Sequence, residues 1–318
     1  MRRTGLGVVM FVSSVTALAQ VFPVKPIRVI IPVPPGGNID TVMRAIAPRM
    51  SESIGQSVVL ETRPGASTNL GMELVARAPG DGYTIGANTL GLVSNVSLFP
   101  KIGYDPERDL AAVCLVAASP SFFTVHPSVP ARNVRELIAL AKKAPGSVKF
   151  GTAGSGTITH LAVELLGWQA GVKFAHVPYK GGGPALIALM SGEVDMAALA
   201  VVAAAGFVNS SRMRVLAVTS AKRMAQFPSI PTVAESGVPQ HEFSSWVGVV
   251  APASTPAAII KVLNEHIVRA ARSPEIVERF GKDGAEVVAS TAEHFKKVIS
   301  DDVAMWAKVI KAAGIKAD

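Results

Sequence analysis

Near its amino-terminal end, the sequence passes from a strand into a helix through two glycines. Residues 29–33 form an apolar run rich in β-branched side chains, and Pro34, Pro35 and two glycines follow. Asn38 then opens a segment with helical periodicity. A buried strand that turns tightly into a helix presents free backbone N–H groups, which hold anions without a charged side chain. This stretch therefore predicts an anion-binding turn within an α/β fold.

The alternation of strands and helices continues along the chain. Three apolar segments and two helical patterns alternate between residues 25 and 88, which predicts a mostly parallel sheet with helices on its faces. A second unit of this kind follows, and a mostly helical tail should pack back onto the first unit. We therefore expect an α/β protein with two lobes, two hinge crossovers and a ligand cleft between the lobes. The first lobe comprises residues 20–124 and 245–318, and the second comprises residues 125–244.

Two short apolar segments lie where the first lobe passes into the second. Residues 113–118 and 122–126 are each predicted to form a short strand. Cys114, the only cysteine of the chain, lies in the first of them. A single cysteine excludes an intramolecular disulfide and metal clusters built on cysteine, so we expect a buried structural thiol.

The first residues have the pattern of a secretory signal peptide. Arg2 and Arg3 precede an apolar run too short to span a bilayer, and residues 17–19 form a small-x-small cleavage site. Residues 1–19 are therefore expected to be removed on export, which lowers the formal net charge from +8 to +6. The basic residues are scattered, with no run longer than two. This distribution favours small anionic solutes over a nucleic-acid partner.

Two strand-to-helix turns form the candidate binding site. Each has glycines where the backbone must turn tightly, followed by short polar side chains suited to capping a helix. If the lobes face each other across a hinge, both turns face one cleft and suit a small acid, including one with two carboxylates. The candidate residues are Pro35, Gly36, Gly37, Asn38 and Asp40 in the first turn, and Gly154, Ser155, Gly156, Thr157 and His160 in the second.

Several nearby residues have two possible roles. Tyr179 follows a third strand-to-helix turn and can offer its hydroxyl to the cleft. Asp195 either faces the cleft or only begins a strand. His160 either bonds a carboxylate or packs as a capping residue, and Trp246 either shapes the cleft wall or lies in the core.

Other chemistries fit these turns less well. The first turn lacks the G-x-x-x-x-G-K-[S/T] pattern of a phosphate-binding loop. The second is not G-x-S-x-G, because Ala153 and Thr157 occupy the glycine positions around Ser155. A catalytic triad of Ser155, His160 and Asp195 can be imagined, but the spacing gives it no support.

Several short motifs are distributed along the mature chain. They are KPIRVI and PPGG with Asp40, ETRPGA at 61–66, DGYT at 81–84, YDP at 104–106, GSG at 154–156 with His160 and Leu161, HVPYKG at 176–181, PTVAE at 231–235, Trp246, and AP at 251–252. In this order they resemble the Bug family of exported receptors, the TctC-like binding component of tripartite tricarboxylate transporters. The likeness covers essentially the whole mature chain.

The resemblance implies a two-lobed periplasmic binding protein of type II that closes on its ligand, with no catalysis, metal or cofactor. It implies that backbone N–H groups and ordered water from both turns hold a ligand carboxylate, with Asn88 and Thr89 as lesser candidates. It also implies a periplasmic location and membrane transporter subunits as partners. We expect a monomer that binds a small carboxylate and no nucleic acid.

The sequence departs from the family pattern near the cleft. Val33 stands where phenylalanine is frequent, Thr62 stands where asparagine is frequent, and residues 67–69 replace a stretch that usually holds glycine. Small residues at 196–200 would widen the cleft, so mono-, di- and aromatic carboxylic acids are all expected ligands. Two alternatives stay open: an exported α/β hydrolase that uses Ser155, and a receptor that signals to a sensor without transport.

Overall fold

The computed structural model describes residues 22–33, 35, 38–179, 181–282 and 284–315, apart from the side chains of residues 202, 203 and 205. The predicted signal peptide and two candidate residues, Gly36 and Gly37, lie outside these residues. The strands are β1 (Ile27–Ile31), β2 (Val58–Thr62), β3 (Thr84–Asn88), β4 (Leu110–Val125), β5 (Lys149–Thr152), β6 (Ala175–Pro178), β7 (Met196–Ala200), β8 (Arg214–Val218), β9 (Ser244–Pro252) and β10 (Glu286–Val287). The helices are α1 (Asn38–Ile54), α2 (Asn69–Ala76), α3 (Gly91–Leu98), α4 (Val134–Lys143), α5 (Ile158–Ala170), α6 (Gly182–Ser191), α7 (Val201–Ala204), α8 (Ala257–Ala271), α9 (Pro274–Lys282) and α10 (Ala292–Ala313).

The first lobe is built on a sheet in the order β2–β1–β3–β9–β4–β10. β1 pairs in parallel with β2 and β3, while β9 runs antiparallel between β3 and β4. The apolar positions of α1 recur at helical spacing, so Ile39, Met43 and Ile46 are buried together against one face of this sheet.

The second lobe repeats the same order as β6–β5–β7–β4–β8. β5, β6 and β7 pair in parallel, and β4 runs antiparallel to both β7 and β8. The order β2–β1–β3 of the first lobe corresponds to β6–β5–β7 of the second. In each case the next strand, β9 or β4, arrives from the other lobe. This is the two-lobed α/β arrangement that the alternation predicts.

One continuous strand joins the two sheets. Where two short strands are predicted, the structure has the single 16-residue strand β4. Pro120 pairs opposite Ser244 in the first sheet, and Ser121 pairs opposite Ala200 in the second. The Ser121 N–H donates to Thr219 Oγ1 at 2.8 Å, so the ladder stays satisfied where β4 changes partners. The predicted lobe boundary at 124–125 falls near the end of this strand and stays a prediction.

A hydrophobic core runs through both lobes on the side of α10. Trp306 of α10 is fully buried, and its ring meets Phe243 edge-on at 6.0 Å between centroids. The same core includes Leu92 of α3 and Leu165 of α5, so α10 bridges the two lobes. Cys114 is also fully buried and unbonded to another cysteine, as expected. Among the described residues, no helix is long and apolar enough to cross a bilayer.

Candidate functional site

The carboxyl ends of the parallel strands in the two sheets face each other. β4 runs parallel to β1 and β3, so it leaves the first sheet at their carboxyl edge. It then enters the second sheet beside Ala200, the last residue of β7, and so arrives at the carboxyl edge of β5 and β7. Turns that follow β1, β3 and β5 therefore border the same space between the lobes. Ligands of open α/β sheets bind at such edges.

The first turn leads from β1 into α1. Pro35 and Asn38, the first residue of α1, are both exposed. The start of a helix carries N–H groups without helical acceptors and a partial positive charge, which together favour an anion.

Asp40 lies in the first turn of α1 but faces inward. Its side chain is almost fully buried, and its Oδ2 accepts a hydrogen bond from Arg44 Nε at 2.8 Å. A buried carboxylate would repel an anionic ligand. The geometry therefore gives Asp40 a structural role in fixing the start of α1.

Asn88 and Thr89 end β3 and begin the connection to α3. Asn88 is fully buried, its Oδ1 accepts from the Thr89 N–H at 2.8 Å, and its Nδ2 donates to Thr68 Oγ1 at 3.3 Å. Thr89 Oγ1 lies 3.3 Å from Ser245 Oγ on β9. These contacts tie the loops after β2 and β3 to a hinge strand, and Thr89 remains partly exposed at the carboxyl edge.

The second turn, residues 153–157, leads from β5 into α5. Gly154 and Gly156 have φ angles of 131° and 72°, which only glycine adopts readily. The Gly154 N–H donates to Thr152 Oγ1 at 3.2 Å, and the Gly156 N–H donates to His160 Nδ1 at 3.0 Å. Ser155 lies partly exposed between them, and its N–H donates to no described residue. The turn therefore offers the Ser155 N–H as a donor, and the hydrogen bonds of Gly154 and Gly156 fix the conformation around it.

A stack of rings supports the second turn. His160 is buried, and its ring stacks on His176 at 3.8 Å between centroids and 11° between planes. His176 stacks in turn on Phe150, and its Nε2 lies 2.6 Å from Thr152 Oγ1. The sequence indicates His160 as a candidate but not Thr152 or His176. The signal that would have indicated them is the parallel pairing of β5 with β6, which sets Phe150 opposite His176.

The second turn also meets the first lobe. A Cβ atom added to Gly156 would lie 3.2 Å from Leu98 Cδ1, at the end of α3. The carboxyl-terminal end of α3 and the turn after β5 therefore approach each other.

Two candidates lie away from this meeting point. Asp195 precedes β7, and its Oδ2 accepts from the Lys149 N–H at 2.7 Å at the amino end of β5. The ring of Tyr179 lies over Gly151, and its hydroxyl donates to Glu193 at 2.8 Å. Burial, with the adjacent Glu193, raises the pKa of Tyr179 to about 12. Because Asp195 is at the opposite edge of the sheet, Ser155, His160 and Asp195 form no triad.

The chemistry of the site is that of neutral hydrogen-bond donors. Among the described residues of both turns and at Asn88 and Thr89, there is no lysine or arginine. The described residues also hold no group of three or more histidine, cysteine, aspartate or glutamate side chains placed to bind a metal ion. Backbone N–H groups, hydroxyls and helix starts can bind a small anion, and water can bridge them to it.

Comparison with known proteins gives a family match over most of the chain. Residues 42–315 match the family model TctC, described as the tripartite tricarboxylate transporter family receptor. Three solved structures are similar over their whole length, and two of them hold a dicarboxylic acid.

The first is Rpa4515 of R. palustris with adipate, which is 34% identical, has a TM-score of 0.77, and aligns over 93% of this chain and 99% of that one. The second is the periplasmic binding protein BugD, which is 31% identical with a TM-score of 0.74 over 93% and 100% of the two chains. The third is MatC of Rhodopseudomonas palustris with bound malate, which is 29% identical with a TM-score of 0.74 over 91% and 100%.

Proposed function

We propose that this chain, which belongs to the tripartite tricarboxylate transporter receptor family, captures a small dicarboxylate between its lobes and delivers it to a membrane transporter. The family consists of periplasmic solute-binding receptors, so the chain is a receptor and not an enzyme. The observation that carries the ligand class is the second turn, where the Ser155 N–H, between two glycines at positive φ, donates to no described residue.

The ligand is proposed to contact both lobes. One carboxylate binds the second turn through the Ser155 N–H, which the bonded backbone of Gly154, Gly156 and Thr157 holds in place. The other part of the ligand meets the first turn and Thr89 in the first lobe. Two similar structures hold adipate and malate, which are both dicarboxylic acids. Asp40, Tyr179 and Asp195 are left out of this proposed site because their side chains are engaged elsewhere.

Closure follows from this placement. A ligand that contacts both lobes stabilises the state in which they are close, because only that state makes both sets of contacts. A ligand at 100 times its Kd would stabilise the folded protein by about 2.7 kcal/mol. We propose that residues 1–19 direct export and are cleaved, and that the closed monomer is what the transporter's membrane subunits recognise.

Thermal unfolding with a panel of acids tests the proposal. Adipate, malate and benzoate are each added, and at least one dicarboxylate should raise Tm in a concentration-dependent way. Gly156→Ala should lose this shift, because alanine is strained at φ 72° and its Cβ would press on Leu98. Gly171→Ala is the matched control, since Gly171 also has a positive φ but open space around it. The absence of any shift across the panel would contradict the proposal.

The signalling alternative predicts the same binding and needs a separate experiment. Uptake of the identified acid is measured in cells with and without the gene for this chain. Loss of uptake supports delivery to a transporter. Unchanged uptake, together with confirmed binding, would favour a receptor that reports to a sensor.

A further inference from the structure

A cavity of the described structure lies apart from the two turns. It has a volume of about 950 Å³, and we call it the rear groove. Its walls come from the loop at 220–226, residues 242–246, residues 284–288 and one side of α10. The aromatic rings of Phe243, Trp246 and Trp306 lie along it.

Much of the rear groove lies on the other side of the crossing strands from the proposed carboxylate site. The loop at 220–226 follows β8, and residues 284–288 include β10. β8 and β10 both lie beyond β4 in the sheet order, whereas β1, β3 and β5 lie on the other side of β4. The rear groove therefore lies mainly behind the hinge, and it reaches Leu90 of the connection after β3.

Asp302 of α10 is a partly buried carboxylate in this groove. Its Oδ2 accepts a hydrogen bond from Trp246 Nε1 at 2.8 Å, and the side chain is partly buried. Among the described residues, no lysine, arginine or histidine lies within ion-pair distance of its carboxylate. Burial raises the pKa of Asp302 to about 6, although the bond from Trp246 opposes this.

The other charged groups of the groove are paired or exposed. Asp301 pairs with Lys297 at 2.6 Å, and Arg223 pairs with Glu235 at 2.9 Å. Among the exposed groups without an ion-pair partner in the described structure are two carboxylates and one ammonium, from Glu242, Glu286 and Lys222. With Asp302, unpaired carboxylates outnumber unpaired ammonium groups, and His294 adds a further exposed ring. The groove therefore favours a positively charged occupant.

We propose that the rear groove is a second binding site, for a small organic cation whose primary ammonium group is joined to an apolar or aromatic body. The ammonium group donates to the carboxylate of Asp302. The body lies against the partly exposed apolar side chains of Val288, Val298 and Met305, which exclude water from it. This site differs from the carboxylate site in the sign of its charge, and much of its lining lies on the other side of β4.

Calorimetric titration at pH 7.5 tests this proposal with benzylammonium and tryptammonium as probes. One of them should bind the full mature chain with a Kd of about 1 mM or lower. Benzyl alcohol, which keeps the ring and lacks the charge, should bind at least about tenfold more weakly than benzylammonium.

Two neighbouring carboxylates give a matched pair of variants. Asp302→Asn keeps an acceptor for Trp246 but removes the charge, and it should weaken binding of the ammonium probe by about tenfold or more. Asp301→Asn makes the same charge change at a residue already paired with Lys297, and it should alter the Kd by less than about twofold. Equal binding by both variants, or no binding of either probe at about 10 mM, would overturn the proposal.

A measurement on the unsubstituted protein keeps the test independent of folding of the variants. With methionine methyl groups labelled for NMR, the bound probe should show cross-relaxation between its ring protons and the Met305 methyl group. Cross-relaxation to other methionines only would place the probe elsewhere and overturn the assignment.

Discussion

The two spaces between the lobes differ in the charge of the groups that line them. In front of the crossing strands, the candidate carboxylate site is made of glycines, backbone N–H groups and hydroxyls, and the buried carboxylate of Asp40 is paired with Arg44. Behind them, the rear groove presents the carboxylate of Asp302 among indole rings. Neutral N–H and hydroxyl dipoles can bind an anion reversibly without a buried charge in the empty site. A buried carboxylate without a cationic partner lowers the stability of the folded protein until a cation binds.

The largest effect should come from the core that the two spaces share. Trp306→Ala removes a fully buried indole between α10 and both lobes, and it should lower the free energy of unfolding by about 3–5 kcal/mol. Urea unfolding measures this loss. Trp168→Ala, at a residue 45% exposed, should change stability by less than about 0.5 kcal/mol. If Trp306→Ala loses no more stability than Trp168→Ala, the shared core does not couple the lobes.

The second effect concerns the rear groove and depends on pH. The pKa of Asp302 is raised from 3.8 to about 6, so the folded protein holds this proton more tightly than the unfolded chain does. Its contribution to stability is therefore fully present below pH 3.8 and is lost as pH rises through 6. Asp302→Asn should be more stable than the parent at pH 7.5, by on the order of 2 kcal/mol, and this advantage should shrink towards pH 4. Denaturant titrations at both pH values measure the difference, and an advantage that does not vary with pH would contradict the assignment.

The third effect concerns the front. His160→Phe keeps an aromatic ring in the stack with His176 and Phe150 but removes the acceptor for the Gly156 N–H. The second turn should then lose its fixed shape, and the affinity for the best acid of the panel should fall by about tenfold. Calorimetry measures the change. His294→Gln, at an exposed histidine of α10, should leave that affinity unaltered, and an equal loss in both variants would show that the stack does not position the turn.

The smallest effect should come from the contact that ties the lobes behind the hinge. Gln226, after β8, donates through Nε2 to the carbonyl of Gly281 in α9. Front closure about the crossing strands should separate these groups. Gln226→Ala should therefore change stability by less than about 0.5 kcal/mol and tighten acid binding slightly. A weaker acid affinity in this variant would show that the rear contact does not oppose closure.

The same two spaces show what the sequence reveals and what it hides. The strand–helix alternation predicts the α/β fold, and the glycines at 154 and 156 mark the second turn, because such signals are local. The hydrogen bond between Trp246 and Asp302 joins residues 56 positions apart, and no local sequence pattern predicts it. The single strand β4 was missed for a similar reason, since its second half is completed by β7 and β8 from the other lobe.

The spacing of residues in the sequence also does not predict the direction in which a side chain points. Asp40 and Asp195 both stand next to strand ends in the sequence. The structure turns the first into the protein to meet Arg44 and places the second at the amino edge of the second sheet. His176 was visible in a motif, but its stack on His160 depends on the register of β5 and β6.

A crystal structure of the mature protein grown with adipate tests the central claim most directly. We predict that one carboxylate oxygen lies about 2.7–3.2 Å from the Ser155 N–H, directly or through one water, with the rest of the ligand between the lobes in front of β4 and β9. Adipate bound in the rear groove, or bound in front without contact to residues 153–157, would contradict the account.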